Sequence, residues 1–196
     1  MSDDRSVVAA LALDQRGILR QVIAREQGVA DVPDSEVIEF KKLGVSYAKH
    51  KPRMVALSVE EFSKREYATD MLKIEVPIEM RFVPGTSMFS GEEAYSRGAA
   101  QQNFRSIDSA TSKPYVYLSA GVTNQQFVET LELAAESGSR FNGVLCGRAT
   151  WQNGVRVFAQ RGAKALEEWL ETYGTQNITR VNQILKSAQP WTEKLD

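Results

Sequence analysis

The chain has 196 residues, 42% of them hydrophobic and 25% charged, which fits an ordinary globular domain with one core. A net charge of −1 and the lack of any Lys/Arg run give no electrostatic footprint for nucleic acid. One cysteine rules out an internal disulfide framework and suits a reducing, cytoplasmic setting. The apolar run Val7–Leu13 is seven residues long behind acidic residues, too short for a signal peptide or a membrane span.

In chain order, "VVAALAL" (7–13) reads as a strand buried on both faces, as in a parallel sheet. Helices are expected over 18–28, stopped by Gly28, and over 34–44, capped by Asp34 or Ser35 and ended by Gly44. The later part of 47–65 reads as a helix entered through Pro52 near its start. "MLKIEV" (71–76) is the second strand, closed by Pro77, and 82–98 is loop-like. A helix is expected to start at "SGEEA" and run to about Ser109. Strand 115–121, helix 124–138, strand 141–147, helix 163–174 and helix 178–188 complete the pattern. Alternating strands and helices with short glycine-marked joints point to a parallel α/β protein.

Four apolar runs end in polar or glycine-rich motifs: "LALDQRG", "DMLKIEV", "YLSAG" and "LCGRATW". Ligands of parallel α/β folds bind at that end of the sheet. Lys73 lies between Leu72 and Ile74 and, by strand alternation, shares a face with Glu75. Two readings are open for it, an inward ion pair with Glu75 or a desolvated amine able to add to a carbonyl. Ser119 and Gly121 precede a helix start, where backbone amides could hold an anion or Thr123 could simply cap the helix. Gly147 and Arg148 offer close backbone approach and a bidentate phosphate ligand, or a plain surface arginine. Asp14 reads as a polyol ligand or as a helix cap. His50, in "KHKPR", reads as a solvated surface group, and Cys146 as a small buried hydrophobe. No metal-ligand cluster, GxGxxG or P-loop pattern occurs.

Together, "ALALDQRG", "DMLKIEVPIEM", "PYVYLSAGV" and "FNGVLCGRATW" resemble the tagatose 1,6-diphosphate aldolases, class I Schiff-base enzymes on a (β/α)8 barrel. The related sulfofructosephosphate aldolases share a looser version. The resemblance implies Lys73 as the Schiff-base lysine of the sixth barrel strand. Asp14, Gln15 and Ser119 would contact substrate, and Leu145, Gly147 and Arg148, with Gly121, would hold a phosphate. It implies a phosphorylated ketose as substrate, with no cofactor and no metal. A full barrel takes about 250 residues, and strands two to five have no counterpart here. The family's acid/base glutamate on strand five and a substrate-site lysine on strand four therefore lack matching positions.

The expected architecture is one truncated barrel domain over 1–196, with a first βα unit (1–45) and the last part of a barrel (46–196). Its four parallel strands would lie in order 6-7-8-1, with helices on one face and open edges at strands six and one. Two such chains could pair edge to edge. A catalytically silent remnant or a phosphate-binding module is the alternative to a lyase.

Overall fold

The computed structural model describes residues 10–12, 16–42 and 44–194. Four parallel strands form one sheet: β1 (Ala10–Ala12), β2 (Met71–Glu75), β3 (Tyr115–Leu118) and β4 (Val144–Leu145). Helices α1 (Arg16–Gln27), α2 (Asp34–Lys42) and α3 (Val45–Phe62) connect β1 to β2. Helix α4 (Arg97–Ala110) leads to β3, and α5 (Asn124–Glu136) leads to β4. Helices α6 (Gly147–Trp169) and α7 (Thr175–Ile184) follow, joined by a π-turn over Leu170–Gly174.

The strand order is β1-β2-β3-β4, which corrects the expected 6-7-8-1. β1 lies beside the strand that carries Lys73, in register Ala10↔Met71, Leu11↔Leu72 and Ala12↔Lys73. β4 sits at the opposite edge and pairs only with β3. Ladder length explains the choice: β2 offers five residues and β4 only two. An unpaired edge of five residues gives three-residue β1 a full set of partners. Asn142, next to β4, still donates its amide to the Tyr115 carbonyl at 2.9 Å, but the returning bond is not a backbone one. Its side-chain oxygen accepts from the Tyr115 amide at 3.0 Å, and its side-chain nitrogen donates to the Gln189 carbonyl at 3.1 Å.

Alternation along β2 decides what the two faces do. Leu72 and Ile74 are buried, whereas Met71, Lys73 and Glu75 are half-buried. Leu72 and Ile74 pair in register with Tyr115 and Tyr117 of β3. All four join one core with Val55 and Val59 of α3, Phe104 and Ile107 of α4, and Phe127 and Leu131 of α5. A second, smaller cluster seats Ile23 and Ala24 of α1 against Tyr47 and Met54 of α3.

Three helix boundaries differ from expectation. α3 starts at Val45, so Pro52 lies inside it. An internal proline cannot donate to the carbonyl four residues back. That carbonyl, on Ala48, instead accepts from the buried Tyr95 hydroxyl at 3.0 Å, which removes part of the penalty. α4 starts at Arg97 rather than at "SGEEA", because Ser96 supplies the cap: its hydroxyl accepts from the Ala99 amide at 3.2 Å. α6 starts directly after β4 and absorbs "RATWQNGVRVFAQRG", bending at Gly162, whose φ of 80° suits glycine.

Candidate active site

Because the strands are parallel, the segments after β2, β3 and β4 emerge at one end of the sheet. Most of the predicted site residues that the structure describes lie there. Lys73 sits in the middle of β2, flanked in register by Ala12 and Val116. Ser119 follows β3 and is buried. The turn after it uses Ala120 and Gly121 at φ 50° and 79°, and closes through the Val122 amide donating to the Ser119 carbonyl at 3.1 Å. The start of α5 is fixed by a capping box between Thr123 and Gln126, so Thr123 is indeed the cap.

Arg148 is exposed, and its guanidinium packs against that turn. A Cβ placed on Gly121 would lie 3.6 Å from Arg148 Nη2. Gly147 opens α6 and is exposed, as is Leu145, at 52%. Gly121, Gly147 and Arg148 are thus brought to one solvent-facing corner. Asp14 and Gln15 lie outside the described residues.

Beside this corner is a cavity of about 370 Å³ at the ends of β2 and β3. Ser119, Gln126 and Thr130 line one side, and Lys51, Glu75 and Glu79 line the other. Lys73 does not line it.

Of the two readings open for Lys73, the structure does not form the ion pair with Glu75. Glu75 pairs with Lys51 of α3, Oε2 to Nζ 3.8 Å. Lys51 is only 5% exposed, and its ammonium also bonds the Glu79 carboxylate and donates to the Ile78 carbonyl at 3.4 Å. Lys73 has no ion pair among the described residues. A charge as buried as Lys51 is tolerated only with such partners. Around this cluster, the Tyr95 hydroxyl accepts from the Glu79 amide at 3.0 Å while donating to Ala48, which ties the β2 exit loop to α3. Burial pushes the Tyr47 phenol far up, and the Glu75 and Glu79 charges push it further, so it stays neutral.

Lys51, Glu79 and Tyr95 escaped the sequence reading. Lys51 stood in "KHKPR", which looks like a solvated basic patch. The signal was its helical spacing: Tyr47, Ala48, Lys51, Val55 and Val59 recur on one face, and all five are buried. Lys51→Met leaves the two carboxylates facing each other without a cation. Breaking a buried pair costs about 3–5 kcal/mol. Here the glutamate side chains are 24% and 27% exposed, so water recovers part of it. A loss of about 2–3 kcal/mol is expected in denaturant unfolding, with partial recovery in Lys51→Met/Glu79→Gln.

Cys146 is buried and its thiol is pushed up by that burial, which makes it a packing group rather than a nucleophile. His50 is exposed and bonds the Ser46 carbonyl at 2.8 Å through Nδ1. Among the described residues there is no His/Cys/Asp/Glu group that could hold a metal ion, and no helix long and apolar enough to cross a membrane.

Comparison with known proteins adds the lineage. The family model "DeoC/LacD family aldolase" matches residues 9–153. "Tagatose 1,6-diphosphate aldolase 2" of Streptococcus pyogenes serotype M1 is 47% identical over 150 residues, covering 76% of this chain and 45% of that protein. "Tagatose 1,6-diphosphate aldolase" of Lactococcus lactis subsp. lactis is 47% identical over 152 residues, 77% of this chain and 46% of that protein. The protein of the same name from Staphylococcus epidermidis is 46% identical over 165 residues, 84% and 48% respectively. The chain therefore spans about half the length of the curated relatives it matches. With the family model covering most of its length, Lys73 and the β3 and β4 exit motifs included, the chain belongs to the DeoC/LacD family of aldolases.

Proposed function

We propose that this chain carries class I aldolase chemistry on a ketose 1,6-bisphosphate, with D-tagatose 1,6-bisphosphate as the substrate suggested by the relatives' names. The observation that carries the reading is the placement of Lys73. It stands half-buried on a strand with a neighbour on each side, on the face opposite Leu72 and Ile74, and no carboxylate among the described residues pairs with it.

In this reading the Lys73 amine adds to the C2 carbonyl and water leaves, giving a protonated imine. A base takes the C4 hydroxyl proton and the C3–C4 bond breaks. Its electron pair flows into the imine, and glyceraldehyde 3-phosphate departs. Protonation at C3 and hydrolysis then release dihydroxyacetone phosphate and regenerate the amine. Arg148 and the backbone about Gly121, Leu145 and Gly147 would hold one phosphate, as the guanidinium's position against Gly121 favours. Ser119, Asp14 and Gln15 would contact the sugar chain. Glu75 shares a face with Lys73 and is the nearest carboxylate in sequence for the C4 proton, but its tie to Lys51 competes with that role.

One observation favours a silent or merely phosphate-binding protein instead: the corner formed by Leu145, Gly147 and Arg148 is open to solvent rather than walled. Triose phosphate release from D-tagatose 1,6-bisphosphate, followed through a coupled dehydrogenase, separates the two. Release above the solution rate is expected. No release, with phosphate binding that Arg148→Gln abolishes, would replace the lyase by a binding module.

A further inference from the structure

The proposed chemistry leaves two features of the fold unused. The sheet has edges at β1 and at β4 that meet no further strand among the described residues. Such edges recruit another strand. Helix α6 also carries an exposed apolar stripe. Trp151, Val155 and Phe158 are 45%, 55% and 52% exposed at helical spacing, and with Leu166 and Leu170 they line an apolar groove of about 280 Å³. Gly154, on the same helical face, is buried against Leu166 and Trp169, so the part of α6 beyond the Gly162 bend forms the groove's other wall and the outer side of the stripe stays exposed. Trp151 lies against Gly147, where a Cβ would sit 3.5 Å from its indole nitrogen, so the groove opens beside the end of β4. At the other side of the chain, Val29 and Ile38 are 48% and 52% exposed in the helical unit that follows β1.

We propose that the occupant of both edges is a second copy of this chain. Each copy's β4 takes the partner's β1, and each α6 groove receives the helical unit that follows that β1. Strand number and direction argue for it. All four strands of one copy run parallel. A two-fold axis along the strands keeps both copies parallel, so the order continues from β4 into the partner's β1 and closes after two junctions. Two four-stranded sheets supply eight parallel strands, the number at which a barrel closes with an interior that side chains just fill. The two junctions are identical, both edges are consumed, and the assembly cannot grow further. It would also turn the half-buried face bearing Met71, Lys73 and Glu75 into the interior of a closed barrel. The proposal does not depend on whether the chain is a lyase.

Light scattering after gel filtration tests it. The full chain is expected at twice its 21.9 kDa mass. Val155→Asp and Phe158→Glu alter side chains that are exposed in the single copy, so circular dichroism should not change. Each is expected to weaken the dimer by about 100-fold or more, as loss of a central apolar contact does. Cross-linking of mixed isotope-labelled and unlabelled chains provides a readout without substitutions. Links between copies should join 16–42 of one to 147–169 of the other. Three outcomes would each overturn the proposal: a 21.9 kDa species at all concentrations, an open series of larger oligomers, or a dimer that ignores both substitutions and lacks those links.

Discussion

Lys73→Met is expected to bring triose phosphate release down to the uncatalysed rate while leaving the fold intact. Removing a covalent nucleophile typically costs on the order of 10⁶-fold, because the remaining groups can bind substrate but cannot open the reaction path. The fold should survive because Lys73 is half-buried and methionine leaves no orphaned ion-pair partner among the described residues. Lys73→Arg is the control for charge: it keeps a cation on the strand but supplies no amine that can form an imine. It should be as inactive as Lys73→Met. Turnover that survived either change would move the chemistry to another group. Lys51, a second lysine at this end of the sheet, is held by two carboxylates and is poorly placed to take over.

Tyr117→Ala is expected to cost the most stability. Tyr117 is fully buried and sits among three other rings. Phe104 and Tyr115 meet it edge-on at centroid distances of 5.9 and 5.5 Å, and Phe141 lies tilted at 5.6 Å. Truncating such a ring removes about 3–5 kcal/mol, through lost burial and the cavity left behind. For a chain of this length that lowers the melting temperature by about 10 °C. Tyr117→Phe should be nearly neutral by comparison, since the hydroxyl's contact with Ser139 is long, at 3.5 Å. Calorimetry of the three proteins checks the order. Equal losses for Ala and Phe would mean that the hydroxyl, not the ring, carries the stability.

The sequence showed the parallel α/β class because strand runs and glycine joints are local signals. β2 and α5 fall close to their expected spans, and α2 ends before the predicted stop at Gly44. Strand order was not legible, because it depends on competition between edges. A barrel analogy placed β1 beside β4, but β2's five-residue edge outcompetes the two residues of β4. Beside β4, Asn142 spends its side chain on Tyr115 and Gln189, which no periodicity reveals. At the candidate site, motifs at strand ends pointed to the β3 and β4 exits, where Gly121 and Arg148 meet. They did not reveal the partner of Glu75. Two residues apart on a strand is a short distance, so Lys73 was the natural candidate. Lys51, 24 positions earlier, reaches Glu75 only because α3 packs across β2 and Tyr95 relieves the Pro52 defect that would otherwise distort that helix.

The central claim is that Lys73 is an imine-forming lysine and Lys51 is a structural one. Borohydride reduction in the presence of dihydroxyacetone phosphate, followed by peptide mass spectrometry, tests this directly. The account predicts a reduced adduct on the peptide containing Lys73, absent from Lys73→Met. An adduct on Lys51, or none on either lysine, would contradict it.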